Sequence, residues 1–255
     1  MANERYQEFI EQTPTVYLQG LYDESSTAKH PLGTERKLTD GRVFVYAKMG
    51  ATAANRGSLY QGEAHVLANA GNLAVTANAN VGDRSISFTL GNSDILTNAN
   101  EGAEGYIHVS GANLSDGAGH AYKIKNHAAI AANANGTVYL YDKLRANILA
   151  ATSKVSITKN PYMDVIKSTG TVVTGALAGV ATFDVSANYF CWLQKRGPCA
   201  VEVDGSVVIG DALFPAANDG TVGPGANGTS EAYYPVGTCM ANNANDTWCL
   251  ADLKL

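Results

Sequence analysis

The sequence predicts an all-β fold, made of sandwich- or barrel-like β domains with an extended N-terminal arm. Three observations carry that prediction. Short apolar or alternating runs recur along the chain, separated by turns rich in Gly, Asn and Asp. The dipeptides Asp40-Gly41 and Asp204-Gly205 stand between β-branched or aromatic runs, the strongest short-range hairpin signal. The aromatic run Tyr189, Phe190, Trp192 and Leu193 suits a pleated surface.

Residues 1–35 read as the arm. Tyr6, Phe9 and Ile10 have helical spacing, which predicts a short helix over Glu4–Gln12 that Pro14 stops. Two apolar patches follow, Val16-Tyr17-Leu18 and Leu21-Tyr22, in a segment broken by Pro14, Gly20 and Pro31. Such a segment makes a poor self-contained sheet. Tyr17, Leu18, Leu21 and Tyr22 are therefore the candidate contact residues toward a neighbouring subunit. An ordinary first strand packed on its own domain is the alternative.

Residues 36–168 read as a central β domain. It opens on a hairpin over Arg36–Lys48, where Val43 and Val45 alternate with Phe44 and Tyr46. Both faces of that strand are apolar, so both should be covered. Ala51–Leu73 fits helix or loop. Further strands are predicted at Arg84–Leu90, Gly105–Ser110, Ala121–His127, Thr137–Asp142 and Lys154–Ile157. Gly91-Asn92, Gly117-Ala118-Gly119 and Asn135-Gly136 are the turn signals between them. Lys143–Ala151 has room for one or two helical turns. Asn-Ala-Asn recurs at Asn78–Asn80, Asn98–Asn100, Asn133–Asn135 and Asn243–Asn245 at unequal intervals, which fits turn chemistry and not a structural repeat.

Residues 169–186 are small and read as a linker. Residues 187–255 read as a C-terminal β module. Its first strand should end at the turn Arg196-Gly197-Pro198. Ala200–Val203 and Val207–Ile209 should pair across Asp204-Gly205. A Gly-rich loop over Asn218–Gly228, then Tyr233–Met240 and a terminal strand Thr247–Leu255, complete the chain.

Composition narrows the function classes. At 255 residues the chain can bury a substantial core. Its net charge of −5 argues against a general nucleic-acid binder. A charged fraction of only 16% suits a protein that hides surface in an assembly, and equally a poorly charged monomer. The beginning, MANERYQEFIEQ, lacks the apolar core of a secretory signal, and no run is long enough for a membrane helix. A soluble chain made in a cytoplasm, with no membrane partner, is the expectation. Four cysteines, Cys191, Cys199, Cys239 and Cys249, match no zinc spacing and read as buried free thiols. A Cys191–Cys199 bridge across a hairpin is the alternative.

Catalytic and cofactor patterns are weak. Gly223-Pro224-Gly225-Ala226-Asn227-Gly228 matches G-x-G-x-x-G in letters, but Tyr233-Tyr234-Pro235 follows where a dinucleotide site needs a helix. Of the histidines, His30, His65, His108, His120 and His127, the last three could converge if their strands pair. Satisfied or surface histidines are the plainer reading. Acidic residues are scattered without a pair suited to acid–base work. Asn-x-Ser/Thr sites at Asn113, Asn135, Asn227 and Asn245 read as chance in an Asn-rich chain. No catalytic, cofactor or metal residue is assigned, and an enzyme is not expected.

Three stretches in order carry a resemblance. They are LGTERKLTDGRVFVYAKMGATA (Leu32–Ala53), the run from SISFTLG to KVSITKNPYMDVI (Ser85–Ile166), and NYFCWLQKRGPCAVEVDG (Asn188–Gly205). Their wording resembles structural proteins of tailed bacteriophages, especially marine ones. The resemblance implies a virion protein, related to small β proteins that act as capsid decoration or cement proteins. It implies the major capsid protein and the chain's own copies as partners, with a homotrimer suited to local threefold points. It also implies a place on the capsid surface after synthesis in the host cytoplasm. The arm adds nothing to the match; its apolar groups Tyr17, Leu18, Leu21 and Tyr22 are expected to touch the capsid or a neighbour because such a segment needs a partner. A tail or fibre component is the runner-up. A carbohydrate-binding module using Tyr233, Tyr234 and Trp248 is the alternative from another class.

Overall fold

A computed structural model describes residues 17–64, 70–92, 95–110, 116–150, 152–170, 173–225, 235–242 and 247–255. In chain order the strands are β1 (Glu35–Lys37), β2 (Val43–Lys48), β3 (Leu59–Gln61), β4 (Leu73–Ala74), β5 (Ser85–Thr89), β6 (Tyr106–Val109), β7 (Ala121–His127) and β8 (Asn135–Leu140). Then follow β9 (Lys154–Thr158), β10 (Ile166–Lys167), β11 (Leu177–Ala181), β12 (Phe190–Glu202), β13 (Ala212–Pro215), β14 (Val222–Pro224), β15 (Gly237–Ala241) and β16 (Trp248–Lys254). They form two curled antiparallel sheets, so the fold is all-β and of sandwich- or barrel-like class. The helix expected over Glu4–Gln12 lies outside the described residues.

The smaller sheet has the order β4-β9-β6-β7-β8-β5. Five of its strands fall on the five predicted runs, with small shifts at their ends. Along each strand, alternate residues enter one core that includes Ile86, Phe88, Ile107, Ile124, Val138, Leu140, Val155 and Ile157. Turn chemistry accounts for the Asn-rich joints: Asn100 and Asn133 have φ of 63° and 57°, a left-handed conformation that Asn tolerates. Asn135-Gly136, expected as a turn, instead begins β8. Lys143–Ala150 forms no helix; Ile148 makes an isolated bridge to Ala79.

The larger sheet runs β10-β3-β11-β12-β16-β15-β13-β14, with β2 also paired to β12 and β1 to β2. Strands from 36–168 therefore divide between the two sheets, since β2, β3 and β10 lie with the C-terminal strands. The 169–186 segment, expected as a linker, supplies β11 between β3 and β12. Its small residues serve close packing. A Cβ on Gly179, at φ +148°, would stand 2.9 Å from the Gln194 carbonyl oxygen.

Strand β12 is a second departure. Arg196-Gly197-Pro198 does not end it; the strand continues for 13 residues through a bulge between Gln194 and Arg196. Gly197 takes φ +82° there. The Gln194 side-chain amide donates to the carbonyls of Arg196, Gly197 and Pro198 at 3.0, 3.2 and 2.9 Å, bracing the backbone beside the bulge. The first half of β12 pairs with β2 and β11, the second with β16. Cys191 and Cys199 thus lie on one extended strand about 26 Å apart, far beyond disulfide reach. All four cysteines are buried, and none is joined in a disulfide. The return strand expected at Val207–Ile209 does not form.

Both faces of β2 are covered, as its alternation requires. Val45 and Ala47 enter a cluster with Tyr60, Ala181 and Leu193. Phe44 and Tyr46 join Trp192 on the other side, and Tyr17, Leu21, Leu32 and Leu38 close over them.

Candidate functional site

The N-terminal segment is fastened over Trp192. The Tyr17 ring meets the indole edge-on at 5.6 Å, and the Arg36 guanidinium lies 4.5 Å from the Tyr17 ring centre. Buried Gln19 is the fastening point: its amide donates to the Asp23 and Phe190 carbonyls at 2.6 and 2.9 Å, and its side-chain oxygen accepts from the Tyr46 hydroxyl at 2.7 Å. His30 packs against Tyr46 and Trp192, and its Nε2 accepts the Leu18 N–H at 3.1 Å. Desolvation, helped by the Arg36 charge, holds its pKa below the usual histidine value. The four candidate contact residues therefore divide. Tyr17 and Leu21 pack on their own sheet, whereas Leu18 and Tyr22 are 69% and 54% exposed. The Tyr22 hydroxyl accepts from Arg42 at 3.2 Å.

A cleft of about 540 Å³ lies where the two sheets meet, lined by Lys48, Glu63, Glu101, Lys159 and Asp164 among others. The Lys159 ammonium sits 2.8 Å from Glu101, 2.6 Å from Glu63 and 3.6 Å from Asp164, and Lys48 pairs with Asp164 at 2.7 Å. Burial works against the Lys159 charge, yet hydrogen bonds to Glu101 and Glu63 hold its pKa above the ordinary lysine value. Burial would raise Glu101, but hydrogen bonds from Lys159 and the Asn98 N–H bring it below the usual range. Each lysine here already faces a carboxylate. The arrangement ties the sheets together.

Among the described residues no group of three or more His, Cys, Asp or Glu side chains is placed to hold a metal. His127 is a buried, satisfied histidine, accepting the Gly102 N–H at 2.8 Å and bonded to the Ala128 carbonyl at 2.7 Å. His120 bonds the Tyr122 hydroxyl, and His108 is exposed on β6. Burial pushes the Cys191 and Cys199 thiols up to about 12, far from the thiolate a nucleophile needs. Gly223 and Pro224 belong to β14, while the end of the G-x-G-x-x-G match lies outside the described residues, as do His65, Tyr233 and Tyr234. No described helix is long and apolar enough to cross a membrane.

Of one further surface the sequence reading named only Trp248. Trp248 and Leu250 are exposed on β16, Met240 on β15, and Val208 and Ile209 on the irregular stretch before β13. Leu250 lies opposite Ala200 and Ala241, and backbone hydrogen bonds between Cys239 and residues 210–211 bring Ile209 alongside Met240. Trp248 is held across Gly57, where a Cβ would come within 1.9 Å of the indole. The signal was available: Cys249, Ala251 and Leu253 make the inner face of β16 apolar, and Trp248 and Leu250 make the first half of its outer face apolar as well, before Asp252 and Lys254. Here no described segment closes over the outer face. No family model matches this chain, and no curated protein or solved structure matches it.

Proposed function

We propose that this chain is a virion structural protein of a tailed phage, a decoration protein that binds the outer capsid surface and stabilises the head. The observation that carries the reading is the exposed apolar surface of Val208, Ile209, Met240, Trp248 and Leu250. Exposed large apolar side chains gathered on neighbouring segments of a chain with few charges are the mark of a protein-binding face. The three stretches that resemble phage structural proteins supply the partner, the major capsid protein. Repetition over a shell then sums modest contacts by multivalency. Self-association as a trimer belongs to the same proposal. The chain covers both apolar faces of β2 itself, so the motive for self-association rests on the outer patch.

The test is co-sedimentation with undecorated heads assembled from the capsid protein encoded in the same genome. Wild-type protein should pellet with heads, and Ile209→Lys with Leu250→Lys should reduce binding at least about tenfold. Binding to tails but not to heads would support the tail-component reading. Unchanged binding by the double variant would move the contact elsewhere, with Leu18 and Tyr22 the next residues to change.

A further inference from the structure

The outward face of the smaller sheet serves neither the core nor the apolar patch. Tyr106, Tyr139 and Tyr141 stand on it, each about half exposed. Strand pairing places them precisely enough to read. Tyr106 lies opposite Lys123, and the Tyr141 N–H bonds the Lys123 carbonyl, so Tyr106, Lys123 and Tyr141 form one row across β6, β7 and the residue that follows β8. Tyr139 stands on the outward face of β8, two residues before Tyr141. The Lys123 ammonium is 5.7 Å from the Tyr141 ring centre, and Lys125 projects from the bulge that follows. Adjacent rows carry hydroxyls. Ser87 and Thr137 bond each other across β5 and β8 at 2.8 Å.

Charge sets this face apart. Strands β5 to β9 contain three lysines and no Asp or Glu, in a chain whose net charge is −5. The nearest acids in sequence, Asp83, Glu104 and Asp142, lie beyond the strand ends; Asp83 is engaged by the Asn80 N–H and Glu104 by the Leu32 N–H. A row of exposed rings, flanked by hydroxyls and lysines on strands that carry no carboxylate, asks for a ligand with apolar C–H faces, many hydroxyls and negative charge.

We infer that this face binds an anionic polysaccharide, with Tyr106, Tyr139 and Tyr141 stacking on successive sugar rings and Lys123 and Lys125 meeting its carboxylates or sulfates. Aromatic side chains supply sequence-tolerant stacking area, and the lysines add charge complementarity. Single-stranded nucleic acid would also stack on such rings, but a phosphate on every unit calls for a denser cationic track than three lysines on an acidic chain. The inference does not rest on the capsid reading, because it uses a different sheet.

Affinity electrophoresis and calorimetry with alginate oligomers, a polyuronate, provide the test, beside neutral dextran and poly(dT). Alginate should bind, more weakly as salt rises, and dextran should not. Tyr139→Ala with Tyr141→Ala should lower alginate affinity about tenfold or more. Lys123→Gln should weaken binding and flatten its salt dependence. All three positions face solvent, so a retained cooperative melt confirms that the fold survives. Three outcomes would overturn the inference: no alginate binding, equal binding by the tyrosine variant, or tighter binding of poly(dT) than of alginate.

Discussion

Gly205 isolates one physical effect. It has φ +93°, and a Cβ built there would meet no atom within 4 Å. A side chain at this position therefore meets backbone strain and no clash. Gly205→Val should cost about 1–3 kcal/mol, because a β-branched residue resists positive φ. An unchanged melting temperature would contradict that. Asp204-Gly205 was legible as a turn from two letters, since turn chemistry is local. The absent return strand was not. Val207 is drawn into the core of the larger sheet, and Val208 is hydrogen-bonded to the Asp211 carboxylate, a local turn that competes with pairing. Gly57 differs from Gly205. Its φ of +77° is compounded by the Trp248 indole lying where a Cβ would go, a contact between residues far apart in sequence that no dipeptide announces.

At the scale of elements, the apolar alternation of β2 announced that both faces needed cover. What covers them could not be read, because the contacts join residues 17–38 to Trp192 across most of the chain. The same segment's Pro and Gly breaks pointed to an arm. They did not reveal that Gln19 and His30 fasten it through hydrogen bonds to Tyr46, Phe190 and Leu18. His30 gives this fastening a pH dependence. Burial and Arg36 depress its folded pKa, so the folded state resists protonation that the unfolded chain accepts near its ordinary value of 6.5. The stability at stake is present above that value and is lost as pH falls from it through the folded pKa. Protonated Nε2 would also cease to accept the Leu18 N–H. Melting temperature should therefore drop more between pH 7 and pH 5 in wild type than in His30→Gln. Parallel pH slopes would show that His30 carries no such linkage. Strand β12 teaches a related point. Arg-Gly-Pro reads as a turn by local rules, yet Gln194 braces the backbone beside the bulge and lets one strand serve two partners.

For the molecule as a whole, the question is what makes two sheets one unit. Each has its own core, so each could in principle melt separately. Lys159 stands at the junction, immediately after β9 of the smaller sheet. It reaches Glu101 on that side, and Glu63 and Asp164 on segments that flank β3 and β10 of the larger sheet. With Lys159 and Glu101 side chains only 11% and 12% exposed, water screens their pair poorly. The lysine matters most as the partner whose loss strands carboxylates. Lys159→Met should keep the aliphatic packing but leave Glu101 nearly buried without its cation, at a cost of about 2–4 kcal/mol. Glu101→Gln, which keeps a hydrogen-bonding oxygen, should cost less. No spacing in the sequence marks this network, because its members come from four separate segments and acquire meaning only when the sheets meet. If it couples them, calorimetry of Lys159→Met should split a single transition into two, or give a van't Hoff enthalpy below the calorimetric one. A variant that loses stability yet still melts in one two-state step would place the coupling elsewhere, with the Leu32 to Glu104 hydrogen bond the next tie to cut.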